Sequence, residues 1–193
     1  MDESMVFAIA SRCFAPVDSE TWAEAVRPDV WRSFVESLDR LSDDSGILSD
    51  SIETPPTFEE KQRFAASHFT GGLPVSAPPV ESLYYYPEDG IHPRQYLQES
   101  ALYMDDLLSS LGFGVPSGFS SCPDHLCLEL EVASHLFDQD PEKAVDFVCD
   151  RFSWLDRYKE ELASIGIAAS FYVGVVEGLI HVRDALCKRR EDR

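Results

Sequence analysis

Residues 121–137 read Ser-Cys-Pro-Asp-His-Leu-Cys-Leu-Glu-Leu-Glu-Val-Ala-Ser-His-Leu-Phe, and their apolar positions recur on a helical period. Steps of about 100° per residue put Leu126, Leu130, Ala133 and Phe137 in one apolar stripe and Leu128, Val132 and Leu136 in a second. Cys127, Glu131, Ser134 and His135 form the polar outer side. His125 and Glu129, at i and i+4, fall between the stripes, where the pattern demands burial. A buried carboxylate without a partner is costly, so Glu129 requires either a partner or a chemical task. Pro123 suits the first helical position after Ser121 or Cys122, and Asp124 then places a carboxylate at the positive end of the helix dipole.

The rest of the chain is helical by the same criterion. Met5 to Cys13 forms a short helix that stops before Pro16. Asp18 or Ser19 caps a helix carrying Trp22 and Val26, and Pro28 opens another with Val30, Trp31, Phe34, Val35, Leu38 and Leu41 in phase, ended by Gly46. Residues 42–56 read as a polar loop. Thr57 with Glu60 is a capping box ahead of a helix that stops at Gly71-Gly72. Five prolines between Leu73 and Pro93 forbid a long regular helix there. That segment holds Tyr84-Tyr85-Tyr86, rings that either line a groove or cover the core. Pro93 opens a helix through Tyr96, Leu97, Leu102, Tyr103, Leu107, Leu108 and Leu111, closed by Gly112. Asp140-Pro141-Glu142 starts the next, which continues or restarts as far as Leu162, and Gly166 breaks it. A last helix spans Ile167 to Cys187, with Lys188, Arg189 and Arg190 favourably placed at its C-terminal end. No segment alternates with period two between turn signals. The expectation is an all-α fold of roughly eight or more helices in a single domain.

Composition limits the partners. With 35 acidic and 16 basic residues the formal charge is −19, which argues against nucleic acid and against anionic lipid and would steer a basic partner inward. The uncharged run Leu162 to Val176 is too short to span a bilayer, and Glu177 interrupts it, so no stable membrane insertion is expected. Gly174 and Gly178 then read as close-packing positions of a buried helix. The five cysteines are scattered without a C-x-x-C pair and read as reduced core residues of a cytoplasmic protein. Met1-Asp2-Glu3-Ser4 lacks the features of a signal peptide.

Enzymatic motifs are missing: no Gly-rich phosphate loop, no G-x-S-x-G elbow and no H-E-x-x-H site occur. Cys122 ahead of a helix start is the one plausible nucleophilic thiol. His125/Glu129 and Glu131/His135 are both i, i+4 pairs, but about 120° of helix separates them, so one ion cannot readily reach all four. A helical metalloprotein that uses His125 and Glu129 with distant ligands stays open, as does a plain interaction subunit. A binding module fits the residues best, without a cofactor of its own: its acidic, partly apolar groove would take a peptide carrying arginine and apolar residues.

Two segments carry a family resemblance. Pro123-Asp124-His125-Leu126 followed by Glu129-Leu130 resembles the P-D-H-x-x-x-E-L signature of the TorD/DmsD-type redox-enzyme maturation chaperones. Upstream, Pro79-Val80-Glu81-Ser82-Leu83-Tyr84 is similar to the family's P-x-E-S-x-Y segment, and Trp154-Leu155 and Phe171-Tyr172 resemble its last two helices. The likeness covers about residues 60–187. Cys122 stands where many members have Glu, and Val132-Ala133 where Phe-Met is usual, which bears on subfamily and client more than on fold. The resemblance implies a cytoplasmic all-helical chaperone, monomer or homodimer. Its partner would be the precursor of a twin-arginine-exported molybdenum enzyme, bound through its signal peptide or as the apo-form until cofactor is inserted. Carried over, Asp124, His125, Glu81, Ser82 and Tyr84 would form the peptide site, with Pro123, Leu128 and Glu129 supporting the groove.

Overall fold

The computed structural model describes residues 2–42, 49–71, 75–84, 95–96 and 98–192. Among these the fold is all-α. Its helices are α1 (Asp2–Phe14), α2 (Ser19–Ala25), α3 (Pro28–Leu41), α4 (Ser49–Ile52), α5 (Phe58–Phe64), α6 (Glu99–Ser110), α7 (Leu126–Gln139), α8 (Pro141–Arg151), α9 (Leu155–Ser164) and α10 (Ser170–Glu191).

Local signals set most starts. Asp18 accepts from Thr21 N–H, the Thr57/Glu60 capping box is complete in both directions, and Asp140 accepts from Lys143 N–H ahead of Pro141. Gly112 (φ 81°) and Gly166 (φ 92°) adopt the left-handed conformation where α6 and α9 end. The helix after Thr57 runs on from Phe64 as one π-helical stretch to Phe69.

Long-range packing places α7 and α10 inside. α1 lies chiefly on α7, and α10 contacts α8, α9, α3 and α4. Phe7 of α1 stacks on Phe137 of α7 at 5.3 Å and meets Phe152 edge-on. A second aromatic group joins Phe14, Phe64, Phe69 and Tyr172, with Phe64 and Tyr172 stacked at 4.3 Å. The two glycines of α10 are packing positions: a Cβ on Gly174 would lie 2.8 Å from Ile52, and one on Gly178 would lie 3.2 Å from Leu38.

Five local expectations are corrected. α7 starts at Leu126, not at Pro123, because strap residues rather than Asp124 complete its first turn (below). α6 starts at Glu99, so Tyr96 lies ahead of it, while Pro93 and Leu97 lie outside the described residues. The 42–56 loop contains α4, held because Ile52 is fully buried and its carbonyl accepts Trp31 Nε1–H at 2.9 Å. Of the polar outer side of α7, Cys127 is buried because α1 packs along it, with Ser4 meeting Ser134 and Arg12 pairing with Glu131 at 2.7 Å, while Glu131 itself stays exposed. Finally, Cys149 and Cys187, expected to be reduced, are joined as a disulfide between α8 and α10, with Cα atoms 5.5 Å apart. Periodicity within a segment carries no information about a contact between residues 38 apart.

Candidate functional site: a strap clipped over buried carboxyl groups

Residues 77–84 form a strap across the start of α7. Pro78 and Pro79 have no N–H to offer, so they favour an extended segment that presents carbonyls. Pro79 O accepts Leu126 N–H at 2.8 Å, and Glu81 N–H donates to Asp124 O at 3.0 Å; Val80 and His125 form an isolated antiparallel bridge. The first N–H of α7 would otherwise be an orphan, so the strap serves as part of that helix's cap. His125 supplies another part, its Nδ1 accepting Cys127 N–H at 3.2 Å. Burial pulls the His125 pKa down from 6.5 to about 4, which keeps the ring neutral and Nδ1 available as an acceptor. The ring also packs edge-on against Phe119, and it remains partly open to solvent.

Asp124 fastens the strap from below. It is fully buried, and its Oδ2 accepts Ser82 N–H at 2.7 Å and the Ser82 hydroxyl. Among the described residues its Oδ1 has no donor. Beside it, Glu81 is buried and ion-paired with Arg151, the last residue of α8, whose guanidinium lies 4.6 Å from the centre of the Tyr103 ring on α6. Glu129 is fully buried and accepts Trp154 Nε1–H at 3.2 Å through Oε2. Its other neighbour is Glu81. Burial, and next the charge of Glu81, hold the Glu129 carboxyl well above the usual carboxylate range. Burial raises Glu81 too, against the pull of Arg151. Burial beside the Glu81 charge thus favours the neutral, protonated form of Glu129, whose Oε1 has no hydrogen-bond partner among the described residues.

The sites expected from the sequence thus converge. Asp124, Glu81 and Ser82 meet in one buried cluster, and Glu129 joins it. Tyr84 is buried beside them, stacked on Trp154 at 5.6 Å and edge-on to Tyr158. Tyr85 and Tyr86 lie outside the described residues. Pro123 is buried in the turn before α7. Leu128 lines a cavity of about 220 Å³ with Leu108, Phe113, Pro116 and Val132, and Glu131 and His135 give it a polar edge. His125 and Glu129 face different neighbours, and among the described residues no three His, Cys, Asp or Glu side chains are grouped to hold a metal ion. Cys122 is half-buried, and burial raises its thiol rather than activating it.

Sequence reasoning missed Arg151, Tyr103 and the role of Trp154. The Asp140-Pro141 start fixes the phase of α8 and could have placed Arg151 at its end. Nothing in the sequence connects it to Glu81, 70 residues away.

Among the described residues no helix is long and apolar enough to cross a membrane. Neither the curated proteins nor the solved structures give a match to this chain. The family model of the nitrate reductase delta subunit matches residues 31–163, a span that contains the strap, Asp124, His125, Glu129 and Arg151. That match covers well over half of the sequence and agrees with the two motifs and the all-α fold: the chain belongs to the nitrate reductase delta subunit family, the TorD-type chaperones of molybdoenzyme maturation.

Proposed function

We propose that this chaperone acts in the cytoplasm and binds the twin-arginine signal peptide of its molybdoenzyme precursor, or the apo-enzyme itself, at the strap and the adjoining face of α6 and α7. The observation that carries the reading is the excess of acid at the strap. Asp124 and Glu81 lie side by side with one guanidinium, that of Arg151 on Glu81, and among the described residues Asp124 Oδ1 has no donor. An arginine of the client supplies the missing donors in the geometry a carboxylate prefers. Asp124, Glu81, Ser82 and Tyr84 form the floor of this site, and half-exposed His125 its edge. Pro123, Leu128 and Glu129 support it.

α6 extends the face in a direction suited to the apolar part of a leader. Tyr103 covers Arg151, and five residues on, Leu108 joins Leu128 in the wall of the apolar cavity. Tyr96, Leu102, Tyr103 and Phe113 are exposed, although large apolar side chains usually are not. The overall charge of −19 adds long-range attraction for a basic segment.

Calorimetric titration with the leader of a candidate client tests the proposal. Specific binding is expected, and replacing both leader arginines by lysine should weaken it about tenfold, because lysine loses the two-pronged contact. Equal affinity for a scrambled leader of the same composition would rule the reading out.

A further inference from the structure

Cys149 and Cys187 lie in the middle of a polar seam between α8 and α10. Residues 183, 187 and 190 of α10 share one face, and each is tied to the end of α8 or the turn after it. Arg183 donates to Phe152 O at 2.9 Å and pairs with Asp156 at 2.7 Å. Arg190 pairs with Asp150 at 2.9 Å and reaches Asp146 at 3.4 Å. The cysteines are joined between these two contacts. Both are partly exposed, so a soluble thiol or disulfide can reach them. Arg183, paired with Asp156 and Asp184, and Arg190, paired with Asp146 and Asp150, flank Cys187 within about one turn of α10. The remaining cysteines differ. Cys13 and Cys127 are buried, with thiol pKa values pushed up to about 12 and well above the ordinary value respectively. Cys122 is half-buried and also raised.

Cys149 stands two residues before Arg151, which holds Glu81 of the strap, and five before Trp154, which holds Glu129. We propose that Cys149 and Cys187 are a reversible redox latch: closing the disulfide pins the end of α8 to α10 and thereby holds the strap down. The oxidant is an external disulfide of the glutathione class. The thiolate of one cysteine attacks it, forming a mixed disulfide and releasing one small thiol. The second cysteine, as its thiolate, displaces the other. Two protein thiols become one S–S bond, the external S–S bond becomes two thiols, and two electrons and two protons pass to it. Reduction reverses both steps. The effect on client binding rests on the proposed function, whereas the latch itself does not.

The test uses the full chain equilibrated in oxidised or reduced glutathione, quenched in acid and alkylated in denaturant. Of the five cysteines, all five should be alkylated after reduction and three after oxidation, with Cys149 and Cys187 the protected pair. Hydrogen exchange at the amides of Glu81, Ser82 and Leu126 should be about tenfold slower in the oxidised form, as expected where a cross-link suppresses local opening. The double variant Cys149→Ala, Cys187→Ala should remove this redox dependence while it remains folded by circular dichroism. Five alkylated cysteines under oxidising conditions, or protection of another pair, would overturn the proposal. So would a disulfide that forms without slowing exchange in the strap. If exchange responds to redox state but no leader binds in either form, the latch stands and the signal-peptide reading fails.

Discussion

Glu129 is partnered by a second acid, Glu81, rather than by a cation. Trp154 donates to one oxygen of Glu129, Arg151 holds Glu81, and burial beside the Glu81 charge keeps a proton on Glu129. Two buried carboxyl groups this close cannot both ionise cheaply, so the neutral form of Glu129 is part of the fold.

A pH dependence follows from that proton. In the folded state the Glu129 pKa is above its unfolded value of about 4.5, so its contribution is complete below that pH and is lost as pH rises toward the folded value. Glu81 acts in the same direction. The exposed capping acids Asp18, Glu60 and Asp140 have lowered values, so their contributions are lost as pH falls below the carboxylate range. Glu129→Gln should copy the neutral acid, keeping an oxygen for Trp154 and placing no charge beside Glu81. Denaturant melts should show the variant within about 1 kcal/mol of the parent near pH 5 and more stable than it at pH 8. Parallel pH curves for the two proteins would disprove a neutral Glu129 in the fold.

Asp124 controls the strap. Asp124→Ala leaves Ser82 N–H and the Ser82 hydroxyl without their acceptor in a buried place, at a cost of about 2–4 kcal/mol. Asp124→Asn retains one oxygen for Ser82 and should cost about half as much. Urea midpoints give the ranking, and hydrogen exchange at Glu81 and Leu126 should accelerate before the rest of α7 does. An Asp124→Ala protein with unchanged strap exchange would show that the clip contributes nothing.

Asp124 also marks where the sequence was readable. Helical period identified the all-α class, and the caps at Asp18, Thr57 and Asp140 fixed their helix starts because each acts within four residues. The two apolar stripes of α7 are both buried. The burial of Glu129 was legible for the same reason: it sits between them. Its partner was not, because Glu81 lies on an irregular strap whose position depends on Pro79 and Asp124 bonding to distant backbone. Pro123-Asp124 imitates a helix start by composition. The actual first turn is completed from another part of the chain, so local rules misplaced the start by three residues. The Cys149–Cys187 pair was hidden likewise, since it records a tertiary contact between two helices.

The glycines of α10 test the packing. An Ala Cβ at 174 meets Ile52 at 2.8 Å and also Ser51, while at 178 it meets the flexible methyls of Leu38 at 3.2 and 3.3 Å. Replacing Gly by Ala within a helix contributes roughly 1 kcal/mol in its favour. Overpacking at 174 costs about 1–3 kcal/mol, so Gly174→Ala should be destabilising overall. Gly178→Ala should come out near neutral, because Leu38 can yield. Thermal melts of the two variants decide this, and equal melting temperatures would contradict the packing described for α4 against α10.

Charge makes stability and client affinity respond to salt in opposite directions. At −19 the folded chain repels itself, and among the described residues ion pairs such as Arg12–Glu131, Arg27–Asp29 and Lys143–Asp140 are exposed and contribute little. Added salt therefore removes more repulsion than attraction. The screening length falls from about 10 Å at 0.1 M to about 3 Å at 1 M, so the melting temperature should rise by several degrees across that range in potassium chloride. Affinity for a basic leader should fall over the same range, since screening also weakens its attraction to the acidic face. Melting curves and leader titrations in one salt series separate the two effects. A leader affinity that does not change with salt would mean that its arginines do not meet the carboxyl groups beneath the strap.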